Sequence, residues 1–266
     1  MNLFHATPEA LIRAVHPVSV SLVGCGGTGS QLLTNLARMD AALRALDHEG
    51  LQVKVFDPDT ITAANVARQS FPASEIGAYK AVSHTQRVNR FFGIRWEGYP
   101  CAVDPQELHP AFRANIYISA VDSVAARLAI LKAIRQTREE RHYENTPYYW
   151  IDCGNTKTTG QVVVASLFTR PRERKRVHLK NIFELYPDYE KADRDDDTPS
   201  CSLAEAIGKQ DLYINTMMAA YAGDLLWKLI RQAMLDCQGV FVNLDTLQTR
   251  PIPLKQPKKR IRRKRT

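Results

Sequence analysis

VSVSLVGCGGTGS, residues 18–30, begins as a run of β-branched and apolar residues and ends in a turn almost without side chains. Gly24, Gly26, Gly27 and Gly29 fall within six positions, and QLLTNLARM follows with a helical spacing of apolar residues. Gly24, Gly26 and Gly29 satisfy G-x-G-x-x-G between a strand and a helix. The first glycine permits the tight turn, the second lets a phosphate approach the backbone, and the third lets helix and strand pack closely. The helix N-terminus adds unpaired N–H groups and a partial positive charge. Asp57 ends the next strand and is placed to accept from ribose hydroxyls. It lies farther on than the usual ~20 residues, and residues 40–50 look like the excess. This fingerprint alone suits an NAD enzyme as well as an ATP enzyme. A glycine turn that holds no ligand is the third reading.

Working outward, LQVKVFD (51–57), IRWEGYP (94–100), NIYISAVD (115–122), YYWIDCG (148–154) and QVVVASL (161–167) read as strands. Residues 28–46, AYKAVSHTQRVNRF (78–91) and SVAARLAILKAIRQ (123–136) read as helices, and residues 8–15 as a short opening helix. Such alternation predicts an α/β, Rossmann-like fold: a mainly parallel sheet with helices on both faces, its site built by loops at the carboxyl ends of the strands. Residues 202–235 carry a long helical pattern and GVFVNL (239–244) a last strand, so a helix-rich and strand segment extends the sheet. The expected organisation is a nucleotide-binding domain over 1–169, a crossing segment over 170–200, a helix and strand over 201–250 that complete the same domain, and a basic tail over 251–266.

Composition bounds the function. The chain has 266 residues and 44% hydrophobic content, enough for one large α/β domain. No run of about 18 uncharged apolar residues marks a membrane span, and the N-terminus lacks a signal-peptide pattern, so a cytoplasmic location is the default. The net charge of +8 is localised: residues 255–266 hold eight Lys or Arg and no acid. The remainder is neutral. Such a tail suits nucleic acid, an acidic partner or a membrane surface, or is a solvated terminus. Five cysteines without a Cys-x-x-Cys pair argue against a disulfide framework and against a four-cysteine zinc site.

The chain after Asp57 separates the readings: DPDTITAANVARQSF (57–71), GAYKA (77–81) and SAVDS (119–123). When a carboxylate attacks the α-phosphorus of ATP, attacker and target are both negative, so cations must offset the repulsion. Arg68 and Lys80 supply cations, Asn65 can orient phosphate oxygens, and Asp122 at a strand end can hold a Mg²⁺ that bridges phosphates. An NAD(P)-dependent oxidoreductase would leave Arg68, Lys80 and Asp122 idle.

At these residues the chain resembles the ThiF/MoeB superfamily, which includes ubiquitin-activating enzymes. GCGGTG carries that family's doubled central glycine, Gly26–Gly27. DPDTITAANVARQSF is similar to its acid–x–acid stretch followed by Asn-x-x-Arg-Gln, GAYKA to its Gly-x-x-Lys, and VDSVAAR to its Asp-Asn-x-x-x-Arg, with Ser123 in place of the usual Asn. More narrowly, the chain resembles the ThiF-related branch found in PRTRC cassettes. The resemblance implies adenylation, with ATP and Mg²⁺, of the C-terminal carboxylate of a small ubiquitin-like (β-grasp) or sulfur-carrier protein. By similarity Asp57 binds ribose, Asn65, Arg68 and Lys80 act on the phosphates, Gln69 supports the same loop, and Asp122 serves Mg²⁺. It also implies a homodimer, with Arg13 as the residue lent across the interface, and no zinc. TPSCSLAEA (198–206) is similar to the stretch around the thioester cysteine of ubiquitin-activating enzymes. That makes Cys201 the nucleophile, unless it packs under the crossing segment. Cys25 and Cys153 read as packing residues and His84 as structural. A non-catalytic scaffold that binds DNA through its tail is a further reading.

Overall fold

The computed structural model describes residues 3–66, 68–139, 145–167, 177–189 and 211–254. In chain order the elements are β1 (His5–Ala6), α1 (Glu9–Ile12), β2 (Val18–Val23), α2 (Gly27–Arg44), β3 (Leu51–Phe56), α3 (Lys80–Phe92), β4 (Glu97–Tyr99), β5 (Ile116–Ser119) and α4 (Val124–Glu139). There follow β6 (Tyr149–Asn155), β7 (Thr159–Ser166), α5 (Ile182–Leu185), α6 (Ile214–Trp227), β8 (Met234–Leu235), β9 (Cys237–Asn243) and β10 (Gln248–Pro253).

Eight strands form one sheet in the order β10-β9-β7-β6-β5-β2-β3-β4. β4, β3, β2, β5 and β6 run parallel, whereas β7, β9 and β10 are antiparallel. The strand order reverses between β2 and β5, and the crevice outside such a reversal is where open α/β sheets bind ligands.

β2 is buried at all six positions. Val18, Val20 and Leu22 enter the core shared with α2, α3 and α6. Ser19 and Ser21 fill the other positions, their hydroxyls donating to Asn115 Oδ1 (2.9 Å) and the Phe112 carbonyl (2.7 Å). Buried strand hydroxyls are tolerated because both are bonded. The second core, on the opposite face, gathers Ile130, Leu131 and Ile134 of α4 with Trp150 and Ile182.

α2 opens on glycine, a poor helix former at about 1 kcal/mol per residue against alanine. Leu32, Leu33, Leu36 and Leu43 are nonetheless fully buried. At about 1.5–3 kcal/mol each, those four outweigh the glycines and fix the helix. α3 ends at Gly93, in the left-handed region at φ 69°.

Several boundaries differ from the sequence reading. The helical pattern over 202–235 is described from residue 211. It forms α6, a π-turn at Lys228–Gln232, and then β8 against β1. One expected last strand is a hairpin, β9 and β10, because the turn at 244–247 returns the chain, with Leu247 N–H bonded to the Leu244 carbonyl at 3.3 Å. β10 runs to Pro253, into the stretch read as tail. Pro251 and Pro253 lie on it, at the outer edge of the sheet. No described helix is long and apolar enough to cross a membrane.

Candidate nucleotide site

A cavity of about 580 Å³ opens at the β2/β5 reversal. Its roof is the turn after β2. Gly24 has φ 91°, a conformation side chains rarely adopt, and a Cβ there would sit 2.5 Å from the Ala120 carbonyl oxygen. A Cβ on Gly29 would sit 1.9 Å from the Gly24 carbonyl oxygen, so α2 and β2 could not approach. Gly26 differs: a Cβ would meet only Gln69, at 3.9 Å. Gly24, Gly26 and Gly27 line the cavity, while Gly29 lies behind it as a packing contact.

Asp57, at the end of β3, braces that turn. Its Oδ2 accepts from Cys25 N–H at 2.5 Å and its Oδ1 from Asp59 N–H at 2.9 Å. Burial pushes the Asp57 carboxyl up from its ordinary range, against the pull of both backbone N–H groups and of Lys80. Lys80, buried at the start of α3, pairs with Asp59 at 2.7 Å across the cavity wall.

The irregular segment between β3 and α3 brings Arg68 and Gln69 to the same cavity. Burial lowers the pKa of the Arg68 guanidinium. Gln69 is buried and, among the described residues, its Oε1 has no hydrogen-bond partner. The segment is tied to α2 by Ser70 N–H, which donates to Ser30 Oγ at 3.2 Å, while His84 Nε2 of α3 bonds the Ser30 carbonyl at 2.6 Å. Arg87 bonds His84, the Ser70 carbonyl and Glu75. Burial first, then the Arg87 charge, push His84 down to about 4, which leaves it neutral near pH 7. His84 is therefore the structural residue its sequence context implied.

Asn65 does not line the cavity. Its Oδ1 accepts from the backbone and hydroxyl of Thr62 at 2.9 and 3.1 Å, capping the short 3-10 turn Ala63–Asn65. The amide completes a capping box, so its polar atoms serve the loop that delivers Arg68.

Asp122, exposed, lines the same cavity at the turn after β5. That turn is held from below. Arg127 Nε bonds Asp152 Oδ1 at 3.0 Å, and both side chains are almost fully buried. The guanidinium also donates to the carbonyls of Asp122 (3.2 Å), Ser123 (3.2 Å) and Cys153 (2.9 Å). Ser119 donates to Asp152 at 2.5 Å and itself accepts from Trp150 at 2.8 Å. Burial disfavours the Arg127 charge, and Asp152, with Tyr189 and Cys153, together more than offset it. Ser123, standing where the family has Asn, caps α4 by accepting from Ala126 N–H.

Cys153 lies on the cavity floor. Burial pushes its thiol and that of Cys25 far up, so neither is ionised near neutral pH. Cys201, the residues 190–210 around it and the basic residues 255–266 lie outside the described residues. Arg13 is exposed at the end of α1 and pairs with Glu9 at 3.3 Å. Among the described residues no group of three or more His, Cys, Asp or Glu could hold a metal by itself.

Asp59 and Asn215 line the cavity but were not singled out by spacing. Asp59 was visible as the second acid of DPD. Asn215, from α6, had no motif; its only signal is an amide inside the apolar run INTMMAAYAGDLLW.

The fold recurs in solved structures. E. coli MccB with ATP superposes with a TM-score of 0.60 at 14% identity, over 94% of this chain and 67% of that one. MccB with AMPCPP and MccA gives 0.61 at 14% identity, over 94% and 67%. PaaA gives 0.59 at 13% identity, over 93% and 66%. This chain thus spans about two thirds of the length of those proteins. At such identities the likeness is one of fold. No curated protein sequence matches the chain. The family model described as ThiF family matches residues 1–264.

Proposed function

Because the chain belongs to the ThiF family, we propose that it adenylates a substrate carboxylate with ATP, the acceptor being the C-terminus of a small ubiquitin-like or sulfur-carrier protein. The observation that carries this reading is the convergence of Gly24, Gly26, Gly27, Asp57, Arg68, Lys80 and Asp122 on one cavity. The glycine turn offers backbone N–H groups and a helix N-terminus to phosphate oxygens. Asp57 accepts from the ribose, and Gln69 Oε1 is an acceptor in need of a donor. Arg68 and Lys80 offset the mutual repulsion of carboxylate and triphosphate. The carboxylate oxygen bonds to the α-phosphorus, the bond to the β-phosphate's bridging oxygen breaks, and pyrophosphate leaves with that electron pair.

Magnesium fits the donor set. Mg²⁺ commonly takes one or two carboxylates and completes its shell with phosphates and water. Asp122 is exposed, carboxylate-bearing and on the cavity wall, so it would hold the ion, which supplies charge neutralisation of the departing phosphates. Transfer of the acyl group to Cys201 is the proposed following step, and pairing of two copies through the region of Arg13 the proposed assembly.

The test is ATP–pyrophosphate exchange in the presence of a small ubiquitin-like protein that ends in a free C-terminal carboxylate. Exchange should depend on that partner and fall by about 10²-fold or more in Lys80→Ala and Arg68→Ala, with the fold intact by circular dichroism. Exchange at wild-type rates in both variants overturns the role assignment. In Cys201→Ala, exchange should persist while a reducible partner adduct is lost.

A further inference from the structure

Among the described residues, Asn215 is the cavity residue that the nucleotide-binding half does not supply. It is 2% exposed, near the start of α6, a helix otherwise buried through Ile214, Met218, Ala219, Ala222 and Leu225. A buried amide in such a helix costs stability unless its bonds are made, and a leucine would suffice for packing. Its Oδ1 accepts the Thr28 hydroxyl proton at 3.0 Å. Gly27 has no side chain because that amide occupies the space: a Cβ there would lie 2.6–2.7 Å from Asn215 Cγ, Nδ2 and Oδ1. Gly27, Thr28 and Asn215 all line the cavity, at the end where the α2 N-terminus faces it.

We propose that Asn215 is a positioning residue for the triphosphate: it fixes Gly27 and Thr28, and it presents a neutral amide where a carboxylate would repel phosphate. The C-terminal helix thereby takes part in recognising the nucleotide. This inference rests on the nucleotide reading above. Its logic is that Asp and Asn share a shape and can both accept from Thr28, so Asn215→Asp changes charge while keeping the packing. A residue that serves only the fold would affect all ligands alike; one at the phosphates would discriminate by ligand charge.

The experiment is titration of the full chain, as wild type, Asn215→Asp and Asn215→Ala, with MgATP and separately with adenosine. Asn215→Asp should weaken ATP roughly tenfold or more and leave adenosine within about twofold. Asn215→Ala should weaken ATP by a smaller factor, about fivefold, again sparing adenosine. It supplies the same comparison if the Asp variant fails to fold. Equal losses for both ligands, or ATP affinity within twofold of wild type in both variants, overturn the proposal while the nucleotide reading stands. Wild-type protein that binds neither ligand overturns the nucleotide reading itself.

Discussion

The turn after β2 and the turn after β5 lie side by side and line one cavity, yet they are held by different physics. The first is shaped mainly by exclusion, with Gly29 abutting the Gly24 carbonyl and no Cβ fitting at either position, and Asp57 adds a hydrogen bond from Cys25 N–H. The second carries ordinary side chains and is fixed by charge, through the buried Arg127–Asp152 pair and the carbonyls that Arg127 grips. A steric brace leaves open space that a ligand can use. An ionic brace lets the loop above it carry an acid, Asp122, without collapsing onto it. The comparison teaches that the site needs one wall of bare backbone and one of functional side chains.

Each brace can be broken separately. Gly29→Ala should be the most damaging change, because its Cβ would overlap backbone rather than a flexible side chain; soluble folded protein should be absent, as judged by circular dichroism. Asp152→Asn strands the Arg127 charge in the interior. It should cost about 3–5 kcal/mol in urea unfolding. The steric side has a titratable prop and the ionic side a guanidinium that never discharges. His84 is near 6.5 when unfolded and about 4 when folded. The stability tied to neutral His84 is therefore full above pH 6.5 and lost as pH falls through about 4. On the order of 3 kcal/mol is at stake, and His84→Gln should flatten the stability profile across that window. Asp57→Asn should cost less than Asp152→Asn, about 1–3 kcal/mol, since burial already disfavours the Asp57 charge. Gly26→Ala should barely move stability, because its Cβ meets only Gln69 at ordinary contact distance. ATP titration should nevertheless show weaker binding, because the methyl would project into the space proposed for the phosphates.

The same contrast explains what could be read from the chain. Local signals were legible: alternating strand and helix patterns predicted the α/β sheet, and Gly24, Gly26, Gly27, Asp57, Lys80 and Asp122, all short-range patterns, line one cavity. Asn65 was placed among the phosphate ligands because its motif carries an amide; only the bonds to Thr62 show that the amide caps its own loop. The Asp152 link to Arg127 could not be seen, since it joins β6 to α4 across residues with no shared pattern. Asn215 was invisible for the same reason. Its partner Thr28 lies in the opposite half of the sequence, and an apolar helix conceals a single amide. The second hairpin strand was missed because QTRPIP has two prolines, which demote a run on propensity although an outer strand accepts them.

Those prolines have a mechanical consequence. Pro251 and Pro253 remove two N–H donors from one margin of the sheet, and the opposite margin, β4, offers only three residues. A β-rich visitor that tries to extend the ladder finds a broken rail on one side and a stub on the other. Both margins thus resist accidental polymerisation, and a protein whose own surface is largely strand is steered to dock through side chains.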